Sequence, residues 1–275
     1  YIDIVVNTAL DLNHKLQAAG DITLQVNGAV TQNGYTDNAL VSAANVYINT
    51  NSNTIGTDTN SVKVSASGQV NAEGSDIYLG SKGADFNAGN ITSSGENIKI
   101  TTEDSGQVNL KGLVTGKNLT VNSADGIYQS GTDKTIDVSN ALVLNTTNND
   151  IGRQDNAVIF KAGSVSASAT NGSIVLKGID TDIHTSTIDA GKNIDLSTEL
   201  TDESLQSGNI FVENNLVTSN GYINLDSAKA LHIDKNIEAG HSITLNANGG
   251  IEQVGSSQIK AGTSSDAQDG SVTIT

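Results

Sequence analysis

The chain has 275 residues, with 14 Lys plus Arg against 30 Asp plus Glu, giving a formal net charge of -16. Nucleic acid and anionic lipid need a basic footprint and are excluded as partners, and the absence of Cys removes disulfides, thiolate metal sites and thiol nucleophiles. No apolar run approaches the ~20 residues of a membrane-spanning helix, so no membrane insertion is expected.

Pro, Met and Trp are also absent. A chain without proline suits strand pairing along most of its length, because proline removes a ladder N–H. A chain without Met is expected to be a processed product or an excerpt of a longer polypeptide.

In chain order, apolar-x-apolar triplets begin at Ile22, Val46, Val62, Ile77, Ile98, Leu119, Leu142, Val158, Ile174, Ile194, Ile210, Ile223 and Ile243. Period-two alternation of this kind marks strands. The mean interval is about 18 residues, and a quasi-regular period with short strands is the mark of a solenoid. The expectation is all-β: a parallel β-helix of roughly 15 coils, each with three short strands, forming a single repeat segment over 1–275. Only inward positions need be apolar in so thin a coil, which explains a hydrophobic content of 36%. The 32 Asn and 28 Gly supply corner residues that tolerate φ > 0, and stacked Asn side chains can bond to the next coil as ladders do. Leu10 to Ala19 has the only helix-like pattern and reads equally well as strand.

A longer repeat overlies the triplets. Leu16 to Gly34, Leu113 to Gly131 and Ile237 to Gly255 align without gaps, placing Thr23, Thr120 and Thr244, then Gln32, Gln129 and Gln253, then Gly34, Gly131 and Gly255 at the same offsets. The alignment predicts equivalent outward threonines in three coils. A second block, Asn51 to Leu79, matches Thr147 to Leu176.

The motif of Gly, an Ile-Thr-Leu-like strand, a Gly-containing turn and Ile-x-Gln-x-Gly, with the Asn-x-Asn-x-Ile-Gly block at Asn51 to Gly56, resembles the shaft repeats of filamentous haemagglutinin-like exoproteins, the adhesins of Gram-negative bacteria exported by two-partner secretion. The resemblance covers almost the whole chain. It implies a right-handed parallel β-helix, an extracellular location at the bacterial cell surface, and a role in adhesion, aggregation or biofilm matrix.

Parallel β-helices also serve as lyases and tailspikes, so titratable clusters matter. Asp180, Asp182 and His184 alternate as if on one strand face, with Asp189 and Asp195 expected in the next coil; Asp180 and Asp182 are the candidate calcium ligands. No Arg, Lys or aromatic platform accompanies them, and no catalytic residue is assigned. His14, His184, His232 and His241 are too dispersed for a zinc site. Tyr47, Tyr78, Phe160 and Phe211 lie in or beside triplets and read as interior or stacked packing residues rather than a sugar-binding strip. The acidic calcium nonapeptide, the phosphate loop and the dinucleotide fingerprint are absent, so no cofactor is expected. Sequons stand at Asn90, Asn118, Asn145 and Asn171.

These features predict a structural and interaction protein, not an enzyme. Ile2 to Val6 and Val272 to Thr275 carry strand pattern to both ends, and the expected partners there are further β-helix, from the same polypeptide or from stacked subunits.

Overall fold

A computed structural model describes residues 1–32, 41–262 and 270–275. Among these residues the fold is all-β without a helix: short parallel strands stack as a β-solenoid of about 12 turns. By backbone packing the chain divides into two compact units, Tyr1–Gly131 with Thr135–Val138, and Thr132–Lys134 with Ser139–Thr275.

In the first unit, one sheet includes Ile2–Val6, Ile22–Val26, Val46–Asn49, Val70–Gly74, Phe86–Ser93 and Val114–Gly116. The other sheet includes Leu16–Gln17, Val41–Ala43, Val62–Ala66, Ile77–Lys82, Asn97–Glu103 and Asn118–Ser123. Registers are continuous down each stack: Ile2 faces Ile22, Ile22 faces Val46 and Val46 faces Val70, while Ile77 faces Ile98 and Ile98 faces Leu119. The second unit repeats this plan, with Ile174 facing Ile194, Ile194 facing Ile223 and Ile223 facing Ile243 in one sheet. In its other sheet, the long strand Ile183–Ala190 pairs with both Ile210–Val212 and Leu216–Thr218.

These registers correct the expected 15 coils of three strands. The triplets belong to two sheets, and four of the twelve steps between consecutive triplets, Val46 to Val62, Leu142 to Val158, Ile194 to Ile210 and Ile210 to Ile223, cross from one sheet to the other, so dividing the chain by their mean spacing counts too many coils. A true coil runs 20 residues from Ile2 to Ile22, 24 from Ile22 to Val46 and 29 from Ile194 to Ile223. A third strand appears only locally, as in the Leu10–Leu12 and Val30–Gln32 pair.

The interior is built by the triplets themselves. Ile22, Leu24, Leu119, Val121, Ile243 and Leu245 are all fully buried, and Thr23, Thr120 and Thr244 stand between them, half-buried and outward. Their equivalence is local only. Thr23 lies in the first sheet of its unit and Thr120 in the second, because a strand-turn-strand motif fits either face of a flattened coil. Gly34 lies outside the described residues.

The second repeat block is structural. Ile55 and Ile151 each form an isolated parallel bridge, and each is followed by a two-residue reversal in which Thr57 bonds Asn60 and Arg153 bonds Asn156. Gly56 and Gly152 enable it: their φ values are 68° and 72°, and a Cβ would stand 2.5 Å from the Tyr78 carbonyl and 2.2 Å from the Val175 carbonyl. No other residue fits both demands.

Not every inward position is apolar. Two residues after many triplets an inward hydroxyl occurs: Thr50, Ser81, Thr102, Ser123, Thr198 and Ser227, all buried. Each closes the corner ahead of it by donating to a carbonyl; Thr102 donates to Gly106 at 2.7 Å and Ser227 to Ala230 at 2.8 Å. Among the described residues no buried side-chain nitrogen or oxygen lacks a partner. This satisfaction is what a buried corner requires.

Candidate functional surfaces

Parallel stacking brings equivalent residues of successive coils within about 5 Å of one another. A polar residue just before a strand can therefore serve the coil that follows. Asp21 accepts bonds from the backbone and amide nitrogens of Asn45 at 3.1 and 2.9 Å, and Asn45 Oδ1 then accepts from Gln69 N at 3.0 Å. Asp76 accepts from the backbones of Glu96 and Asn97, Asp150 from Ser173, and Asn193 from Tyr222. In each case the acceptor immediately precedes the first inward apolar residue of a strand or bridge. The expected asparagine ladders are thus present, and aspartates take part in them.

Asp182 is one of these corner acceptors. Its Oδ1 receives Asn209 N and Nδ2, both at 2.9 Å, and Asn209 Oδ1 in turn receives Ala230 N at 3.1 Å. Asp180 occupies the same bend with φ 52° and accepts from Thr201 N at 2.8 Å and Thr201 Oγ1 at 2.6 Å; these bonds hold its carboxyl below the ordinary range. The expectation that Asp180, Asp182 and His184 share a strand face is therefore corrected. The first two lie in the turn between Ile174–Ile179 and Ile183–Ala190, and only His184 is on the strand.

Asp189 and Asp195 do not join them. Asp189 lies on the Ile183–Ala190 strand and Asp195 on Ile194–Glu199, in different sheets. Burial raises the Asp195 carboxyl, a bond from Asn224 Nδ2 at 3.2 Å lowers it less, and the nearby Asp226 charge adds to the rise. Among the described residues no group of three acidic or histidine side chains is placed to hold a metal ion.

His184 belongs instead to an outward column. It stacks on Phe211 with ring centroids 4.4 Å apart and planes 2° from parallel, and Phe211 stacks on His232 at 4.6 Å and 4°. The strand register places the three side by side in successive coils. Glu213 accepts from His184 Nδ1 at 3.1 Å, and Glu252 from His232 Nδ1 at 3.0 Å, with the ring proton on Nδ1. Sequence spacing hides this pair, since 48 residues separate the histidines. His14 and His241 lie outside the column.

The remaining aromatics divide. Phe86 and Phe160 are interior, 1% exposed each. Tyr47 departs from the packing expectation: it is 42% exposed and lines a groove of about 990 Å³ on the outer face of the first unit. Two outward columns of the sheet form its floor, Thr23, Tyr47 and Asn71 in one and Gln25, Asn49 and Glu73 in the other. Asn51, with φ 48°, borders it and donates to Asn27 Oδ1 at 3.2 Å. No Lys, Arg or His lines it.

No family model matches the chain, and neither a curated protein nor a solved structure matches it.

Proposed function

We propose that this chain is a structural and interaction protein: a rigid segment of an extracellular β-helical filament that gives reach and presentation in bacterial adhesion, aggregation or biofilm matrix. The observation that carries this reading is the use made of the outward polar side chains. Asp180, Asp182, His184 and His232 are each bonded to the next coil. Such bonds stiffen a stack. The repeat motifs similar to those of filamentous haemagglutinin-like exoproteins support export to the cell surface by two-partner secretion.

Further β-helix, from the same polypeptide or another subunit, is the proposed partner of the stack. Negative-stain imaging of the native material, labelled with an antibody to this chain, tests the proposal. Fibres of uniform width at the cell surface are expected; compact particles, or labelling confined to the cytoplasm, would overturn it.

A further inference from the structure

The outer face of the first unit holds a feature that stacking does not explain. Its groove, at about 990 Å³, is at the upper end of the range of small-molecule sites. Its lining combines the exposed Tyr47 and Val5 and further aliphatic side chains, Val6, Val26 and Ile48 among them, with amides, hydroxyls and one carboxylate.

Several of these groups are fixed before any ligand arrives. Asn49 Nδ2 donates to Glu73 Oε2 at 3.0 Å, and Asn49 Oδ1 accepts from Asn51 N at 2.8 Å, so this amide is held on both sides. Asn71 Oδ1 accepts from Asn90 N at 2.9 Å, which turns its amide nitrogen to other use. Glu73 keeps a second carboxylate oxygen as an acceptor. The floor thus offers fixed donors, a charged acceptor and an amphipathic ring.

From this geometry we infer that the groove binds a neutral oligosaccharide. A pyranose ring has an apolar C–H face that can lie against Tyr47, and a rim of hydroxyls that both donate and accept. Asn71 and Gln25 amides can meet the acceptors, and Glu73 can take two hydroxyl protons in charge-assisted bonds. Cations are absent from the lining and the net charge is -16, so sulfated, sialylated and uronic sugars are repelled. The direction follows from the sheet: equivalent side chains repeat at about 4.8 Å along the stack, close to the length of one sugar unit. The oligosaccharide lies across the strands, one ring to a coil. This assignment goes beyond the filament reading and does not depend on it, since a free-standing module would carry the same groove.

Calorimetric titration of the whole chain with cellotetraose, maltotetraose, laminaritetraose and chitotetraose, and with a heparin tetrasaccharide, tests the inference. At least one neutral tetrasaccharide should bind in the millimolar range or tighter, and heparin should not. Tyr47→Ala and Glu73→Ala should each weaken binding about tenfold or more, equivalent to ~1.4 kcal/mol, whereas Lys177→Ala, in the other unit, should leave it unchanged. Glu73→Gln, isosteric and exposed, guards against loss of fold and should also weaken binding. No heat with any neutral sugar, binding indifferent to the Tyr47 and Glu73 variants, or preference for heparin would each overturn the site.

Discussion

Asp180 shows how a residue type can suggest one chemistry and perform another. Two bonds from Thr201 stabilise its ionised form and lower its carboxyl. A lowered folded value means that its stabilisation is present above the unfolded value near 3.9 and is lost as pH falls through the lower folded value. Asp180→Ala should therefore lower the Tm slightly at neutral pH, since water screens so exposed a carboxylate, and the difference from the parent chain should shrink in acid. Asp195 has the opposite sign. Burial, the largest cause, raises its carboxyl, so its charge opposes folding above the raised value and has no effect below the unfolded one. Asp195→Asn keeps an acceptor for Asn224, and thermal unfolding should show a higher Tm at pH 7, with the gain fading as pH falls through the raised folded value and gone below pH ~4. A lower Tm at pH 7 would show that the Asn224 bond outweighs desolvation.

At the scale of an element, each strand and the corner after it form one unit. The pattern is apolar-x-apolar-x-Ser/Thr: Ile98, Ile100 and Thr102 point inward, and Thr102 Oγ1 donates to Gly106 O and receives Ala124 N at 2.9 Å. Thr102→Val keeps the shape of the side chain and strands the Ala124 N–H, while the Gly106 carbonyl retains a longer bond from Ser123 at 3.2 Å. The expected loss is about 1–3 kcal/mol, measured by denaturant unfolding, and Thr102→Ser should restore most of it. The apolar half of this pattern was plain in the sequence. The hydroxyl half was equally present at Ser81, Thr102, Ser123, Thr198 and Ser227, but a reading that equates inward with apolar passes over it. Asp182 follows a similar positional rule: it stands directly before Ile183 as Asp21 stands before Ile22, and this position, not acid density, predicts its corner bonds.

At the scale of the whole chain, parallel stacking leaves the outermost strands with unmatched edges, and a charge of -16 opposes lateral association. The isolated chain should therefore associate through its ends, and sedimentation velocity should show mass rising with concentration and with salt, which screens the repulsion. A monomer throughout would mean those edges do not pair. The sequence alone determined the strand character, the inward identity of the triplet residues and the stacked asparagine corners, because each depends on alternation and on side-chain size within a few residues. The tertiary structure decided the number of coils, since a motif fits either face and its period in sequence does not reveal which sheet receives it. Register also decided the surfaces. His184, Phe211 and His232 become neighbours, as do Thr23, Tyr47 and Asn71, only because coils of unequal length bring them into line. Coil length is the sum of turns whose residues carry no common period, so the columns that recognise or stiffen could not be counted out along the chain.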